Sequence, residues 1–104
     1  MRTLAVKRNK SFAGFLGKVQ VYIADANGEL DISGQRCRKL GDLKNGEEKA
    51  FSIDDEATTI FAIGDISTKD FCMDFKPVPE GNEAVRLTGK VILDPQRGNP
   101  FVFD

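Results

Sequence analysis

The chain has 104 residues, which suits one domain with a single hydrophobic core over residues 1–104. Hydrophobic residues make up 40% and charged residues 30%, as in ordinary soluble globular proteins, so the composition excludes a disordered chain. The net charge of −1 gives no general attraction to nucleic acid, and no segment approaches the ~20 apolar residues of a membrane span. No apolar leader follows Met1, which indicates a cytoplasmic protein.

Two alternating segments come first. In residues 3–7, Leu4 and Val6 point one way and their neighbours the other, which predicts a half-buried strand. Residues 18–23 show the same pattern, with their three β-branched residues facing the core. Residues 8–17, between these strands, are predicted as a loop. Residues 25–35 are rich in Gly, Asp, Asn and Ser and are predicted as a long turn.

Asn45-Gly46 separates two further alternating runs, residues 36–43 and 48–53. Asn and Gly both tolerate the positive φ of a type I′ turn, and this pair is the strongest short-range signal of a β-hairpin. The sequence therefore predicts that the two runs pair across this turn, with Phe51 and Ile53 facing inward.

Residues 58–63 follow an acidic turn and are apolar on both faces. This pattern is typical of a strand in the centre of a sheet, or of one covered on its outer face. Residues 71–75 predict another short strand, which the prolines after it end.

Residues 83–93 form the longest alternating segment, and Gly89 within it predicts a bulge or a bend. One face of this segment carries Val85, Leu87, Val91 and Leu93. After a Pro-containing break, Phe101 and Phe103 point the same way on a short extended segment. Because burying each ring is worth ~1.5–3 kcal/mol, we expect this segment to dock on a sheet. We favour a sheet of its own subunit over one of a neighbour, because residues 95–99 are long enough to fold the tail back.

No segment shows the helical spacing of apolar residues over two or three turns. Seven to eight short strands with turn signals between them predict an all-β protein, an antiparallel β-sandwich of immunoglobulin-like or jelly-roll-like type. A partly open β-barrel is the alternative.

The sequence contains no histidine, which removes the usual general base, the Ser-His and Cys-His nucleophile pairs, and the commonest transition-metal ligand. Cys37 and Cys72 lack metal-binding spacing; we interpret them as small buried hydrophobes, with a disulfide or a nucleophile as the alternatives. Asp70 and Asp74 lie on the same face of one predicted strand. We interpret them as charges that face solvent, with an acid–base pair as the alternative. We expect no catalytic residues, no cofactor and no metal.

The segment from Asp25 to Asp31 has oxygen ligands at alternating positions, as calcium loops do. An EF-hand loop requires glycine at its sixth position and a bidentate Glu at its twelfth. Here the glycine is Gly28, in the fourth position, and Arg36 stands at the twelfth. The same residues are typical of a hairpin-type turn, which is the interpretation we favour.

A basic, aromatic loop is the candidate contact for a ligand or partner, through Lys7, Arg8, Lys10, Ser11 and Phe12. Such a loop could hold a phosphate or stack on a base. Proteins that bind single-stranded nucleic acid, however, combine a basic groove with several exposed aromatic side chains. This chain has one tyrosine, no tryptophan and phenylalanines mostly at inward positions, so we expect no nucleic-acid partner.

Three stretches in order, VKRNKSFAGFLGKVQVYI, KLGDLKNGEEKAFSI and TTIFAIG, resemble a pattern found in small bacterial β-sandwich domains of unassigned role. The resemblance covers about residues 4–63, and those domains often have Gly-His where this chain has Ala57-Thr58. It implies a β-sandwich and carries no activity.

The sequence thus favours a non-enzymatic module for protein–protein interaction or scaffolding. The alternative is a domain that binds a small ligand or anion through the basic loop, Lys7 to Lys10. The partner is expected to be a protein, and both a monomer and a homodimer remain open.

Overall fold

The computed structural model of the protein describes residues 1–13, 17–64, 73–94 and 100–104. These residues form two facing β-sheets that do not close into a barrel, so the predicted β-sandwich is confirmed. None of the described residues is helical, and so none belongs to a helix that could cross a membrane.

The strands in chain order are β1 (Arg2–Asn9), β2 (Val19–Ala24), β3 (Leu30–Ile32), β4 (Gln35–Leu43), β5 (Glu48–Ile53), β6 (Thr59–Ile63), β7 (Met73–Pro77), β8 (Val85–Val91) and β9 (Phe101–Phe103). A four-stranded sheet has the order β5-β1-β8-β9, and a five-stranded sheet has the order β3-β4-β2-β6-β7. Neighbouring strands run antiparallel, except that β1 and β8 are parallel.

The core lies between the sheets and follows the predicted alternation. The inward residues predicted for β1 and β2 are all fully buried in one cluster: Leu4, Val6, Val19, Val21 and Ile23. Phe51 packs against this cluster and Ile53 belongs to it, as predicted. β6 is buried along its whole length and lies inside the five-stranded sheet, which confirms the prediction for residues 58–63.

β4 and β5 do not pair with each other, so the predicted hairpin across Asn45-Gly46 is wrong. β4 pairs with β2 and β3, whereas β5 pairs with β1 in the other sheet. The Glu47 N–H donates to the Lys44 carbonyl at 2.9 Å, and of the two central residues only Gly46 has a positive φ, of +81°. This is the pattern of a type II turn, which splays the flanking strands apart. The turn therefore carries the chain from one sheet to the other.

The two-residue hairpin of this fold joins β3 to β4 instead. Ser33 and Gly34 have φ of +51° and +80°, the two positive values that a type I′ turn needs, and Ile32 pairs with Gln35. β3 falls within the segment predicted as a long turn, because three residues are too few for a recognisable alternation. With β3 included, the described residues form nine strands, where seven to eight were expected.

β8 is shorter than predicted, and its register against β1 shows no bulge. A Cβ on Gly89 would lie 2.5 Å from the Phe101 ring, so this glycine leaves room for β9 rather than bending the strand. The alternating segment was predicted to continue to Leu93, but β8 ends at Val91, and Leu93 lies outside the core with 76% of its surface exposed.

The segment Phe101–Phe103 docks on its own chain, as predicted. β9 pairs with β8, and the two phenylalanine rings pack edge to face at 5.1 Å. The free edge of β9 is closed by side chains from β7. The Phe103 N–H donates to Asp74 Oδ2 at 2.9 Å, and Lys76 Nζ donates to the Asp104 carbonyl at 2.7 Å. Inward-facing charges at a sheet edge hinder pairing with another chain.

Replacing Phe101 by Ala should destabilise the protein by about 3–5 kcal/mol, because the ring is fully buried against Gly89 and the core. Phe12→Ala is the matched control, since the same atoms are removed from a side chain that is exposed; it should change the free energy of unfolding by less than about 0.5 kcal/mol. Urea unfolding of the three proteins measures both effects. Equal stability of Phe101→Ala and the wild type would show that β9 does not hold the sheets together.

Candidate binding site

One end of the sandwich brings together three segments: the residues after β1, the turn between β4 and β5, and the residues after β8. β1 and β8 run parallel, and their last paired residues are Asn9 and Lys90. The turn lies at the same end, because β5 begins there and runs antiparallel to β1. Beyond Asn9 and Lys90 the two parallel chains separate and leave an open surface between them.

Arg8 anchors this end of the sandwich from inside. The alternation that buries Leu4 and Val6 continues to Arg8, whose side chain is fully buried. Its Nη1 donates to the Gly17 carbonyl oxygen at 2.8 Å and to the Leu43 carbonyl oxygen at 2.9 Å. Hydrogen bonds from a charged donor are among the strongest in proteins. One guanidinium thus joins the end of β1 to the approach to β2 and to the end of β4.

Asn45 fixes the segment that follows β1. Its Oδ1 accepts a hydrogen bond from the Ser11 N–H at 2.9 Å, and the Ala13 N–H donates to Ser11 Oγ at 3.3 Å. The alkyl chain of Lys10 packs over Gly46, where a Cβ would lie 2.9 Å from Lys10 Cγ. The segment from residue 10 to 13 is therefore held against the turn between β4 and β5.

On this fixed backbone Phe12 points into solvent, with 97% of its surface exposed. A cavity of about 350 Å³ lies on one side of it, lined also by Lys10, Ser11 and Asn45. A second cavity, of about 630 Å³, is also lined by Phe12 and lies between residues 11–13 and 90–93. We call residues 10–13, 45 and 90–93 the Phe12 surface. The exposed Leu93 is its second large apolar side chain.

Three of the five predicted contact residues, Lys10, Ser11 and Phe12, lie on the Phe12 surface. Lys7 lies on the outer face of the four-stranded sheet, paired with Glu48 in β5. Arg8 is inside the protein and is not accessible to a ligand or partner, because β1 continues to Asn9 where a loop was predicted.

Sequence reasoning missed Asn45, Lys90 and Leu93 as parts of this surface. Each comes from a distant segment, and the pairing of β1 with β8 that unites them is not readable from local alternation. The alternation of β1 could have shown that Arg8 is buried. If the strand continues past residue 7, the side chain of residue 8 points to the same inner face as Leu4 and Val6.

The two ends of the sandwich differ in charge. Lys10 and Lys90 are the charged side chains among the described residues that line the two cavities beside Phe12. At the opposite end, where β5 ends and β6 begins, the described lining of a cavity of about 450 Å³ includes Asp55, Glu56 and Glu80. The described charged side chains that line the cavities at the two ends are therefore of opposite sign, although the net charge of the chain is only −1.

The side-chain carboxylate of Asp25 stabilises a turn. Its Oδ1 accepts from the Asn27 N–H at 3.0 Å, and its Oδ2 accepts from Arg38 Nε at 2.9 Å in an ion pair that buries the carboxylate. A carboxylate held in this way supports the interpretation of the segment as a turn rather than a calcium loop. Across the part of the chain that the structure describes, no three His, Cys, Asp or Glu side chains come together as a metal site.

Cys37 carries a free, fully buried thiol in a second apolar cluster, on the outer face of the five-stranded sheet with Tyr22 and Phe61. Burial raises its pKa, and the nearby charges of Asp25 and Asp31 raise it further. Cys37 therefore serves as the small hydrophobe that we predicted, whereas Cys72 and Asp70 lie outside the described residues.

A fourth cavity, of about 190 Å³, lies on that same outer face and is lined partly by Tyr22, Leu30 and Met73. Leu30 is half-exposed there. This cavity is the smallest of these four, and it offers a comparison site for the Phe12 surface.

Comparison of the chain with known protein families, with curated proteins and with solved structures found no match. The geometry of the Phe12 surface therefore carries the functional argument.

Raising the pH should destabilise the wild type more steeply than Cys37→Ala. The folded state keeps the Cys37 proton to higher pH than the unfolded chain, whose thiol ionises near pH ~8.5. Above that pH the unfolded state binds fewer protons than the folded state, so stability falls as pH rises. Urea unfolding of both proteins from neutral to alkaline pH measures the difference. Parallel curves for the two proteins would contradict the buried, protonated thiol.

Proposed function

We propose that the domain is a non-catalytic binding module that engages a protein partner through the Phe12 surface. The observation that carries this proposal is the almost complete exposure of Phe12 on a backbone segment that hydrogen bonds hold in place. Burying a phenylalanine is worth ~1.5–3 kcal/mol, and this ring forgoes that stabilisation within its own chain. Contact with a partner would recover it.

The surroundings of Phe12 support the same function. A single exposed apolar residue is ordinary on protein surfaces, but an apolar patch rimmed by polar groups is typical of interaction sites. Here Leu93 and Ala13 extend the apolar area, and Lys10 and Lys90 lie at its rim. An aromatic anchor with a polar rim is the usual composition of a binding hot spot.

Two of the sheet edges are poorer docking sites for a protein partner than the Phe12 surface. Asp74 and Lys76 close the free edge of β9 with hydrogen bonds. On β5, Lys49 pairs with the inward-facing Val6 and so places a charge on the inner face, and Arg38 Nη2 donates to the Ser52 carbonyl at 3.1 Å. Both arrangements discourage a partner from adding a strand to the sheet.

The absence of histidine from the chain supports a non-catalytic role, because the commonest acid–base and nucleophilic mechanisms use it. Binding of a small anion by the basic loop has less support. The Ser11 N–H is already donated to Asn45, and the guanidinium of Arg8 bonds to backbone carbonyls inside the protein.

The test is capture of partners from cells that produce the protein, with Phe12→Ser compared against Leu30→Ser. Both substitutions replace an exposed apolar side chain beside a cavity, and thermal unfolding should show that both variants fold. A partner captured by the wild type should bind Leu30→Ser equally and Phe12→Ser about tenfold or more weakly once purified. Equal binding to Phe12→Ser would refute the proposal, as would the absence of any partner after cross-linking in those cells.

A further inference from the structure

We infer that the partner docks on the Phe12 surface with an extended acidic segment that carries a bulky apolar residue. This inference rests on the proposed function and specifies the chemistry of its partner. Three features of the surface carry it: the shape of the two cavities, the charge of their walls and the exposed apolar side chains of Phe12 and Leu93.

The shape comes from the parallel strands β1 and β8. Their ladder ends at Asn9 and Lys90, and past that point residues 11–13 and 91–93 form the two walls of an open groove. The smaller cavity is also lined by Phe12, together with Lys10, Ser11 and Asn45. Volumes of about 350 and 630 Å³ fall within the ~300–1,000 Å³ usual for ligand pockets. A segment that fills both must pass the ring, which suits an extended chain.

The walls of both cavities select negative charge. Lys10 lines the first cavity and Lys90 the second, and the described lining residues of the two include no acid. The nearest acidic residue of the turn, Glu47, accepts a hydrogen bond from the Lys44 N–H at 3.0 Å and lies 3.7 Å from Lys49 Nζ. These two interactions lower its pKa and offset its charge. A segment with Asp or Glu on both sides of an apolar residue would meet an ammonium group in each cavity.

The apolar component of the segment follows from Phe12 and Leu93. Both side chains are mostly exposed, and they border the same groove. An entirely acidic segment would leave them in water, whereas a Leu, Phe or Trp between the acids would cover them. Charge then fixes the orientation of the segment, and apolar contact supplies most of the affinity.

The probe is a library of short random peptides displayed on phage and selected on the immobilised wild-type domain. Selected peptides, made synthetically, are titrated against the wild type, Phe12→Ser, Leu30→Ser and the double variant Lys10→Glu/Lys90→Glu by fluorescence anisotropy. We expect Asp or Glu on both sides of a bulky apolar residue in the selected peptides. Their affinity should fall about tenfold or more for Phe12→Ser and for the double variant, and it should not change for Leu30→Ser. The variant Lys10→Gln/Lys90→Gln should give an intermediate loss.

The contrary results separate this inference from the proposed function. Selected peptides that need Phe12 but carry no acidic residues would overturn the inference and leave the proposed function standing. Peptides that bind Phe12→Ser as tightly as the wild type would overturn both. If no peptide is selected, the inference fails. Co-sedimentation with vesicles of phosphatidylserine and phosphatidylcholine, lost in Phe12→Ser, would then identify a membrane as the occupant. Concentration-dependent self-association, lost in the lysine double variant, would identify a second copy.

Discussion

The structure of one end of this protein depends on the buried guanidinium of Arg8. Two carbonyl oxygens, of Gly17 and Leu43, accept hydrogen bonds from the same Nη1, and they belong to segments that are distant in sequence. Burying a cation costs free energy unless polar groups surround it. The guanidinium therefore needs these carbonyl oxygens as acceptors, and the carbonyl oxygens need the guanidinium as their donor. Within the described residues, Arg8 is the largest side chain that is fully buried. Arg8 lies one residue before the end of β1, and the chain that follows β1 begins the Phe12 surface.

The same end of the sandwich shows how a small β-sandwich can present a surface without a long loop. β1 and β8 stop pairing, and the residues beyond them need only a few local contacts to hold their shape: the Ser11–Asn45 hydrogen bond and the packing of Lys10 on Gly46. Among the described residues, the charged side chains that line the cavities beside Phe12 are basic, and acidic side chains line the cavity at the other end. Under the proposed function, this local charge rather than the net charge would select the partner.

Much of the fold could be predicted from sequence, because strand alternation is a local property that the side chains themselves encode. The inner faces of β1, β2 and β5 were predicted correctly for this reason, and β6 was predicted correctly as a strand that is apolar on both faces. The type of the turn at Asn45-Gly46 could not be predicted from local sequence. These two residues fit type I′ and type II equally well, and the choice depended on the non-local pairing of β5 with β1. The parity of Leu93 was correct, but no local pattern indicated that β8 ends at Val91. The candidate site could be predicted only in part. The loop was identified from the sequence, but the burial of Arg8 depended on how far β1 continues.

The account is tested most directly by hydrogen exchange in Arg8→Lys. Lysine keeps the positive charge, but its side chain is one bond shorter and lacks the planar guanidinium, so its ammonium does not reach the position from which Nη1 donates to both carbonyls. We predict that the Ser11 amide, protected in the wild type by its bond to Asn45, exchanges about tenfold or more faster in the variant, relative to the amides of β6. Referring the rate to β6 separates local opening at the Phe12 surface from global unfolding. Unchanged protection of Ser11 in a folded Arg8→Lys protein would contradict the claim that Arg8 holds this surface in place.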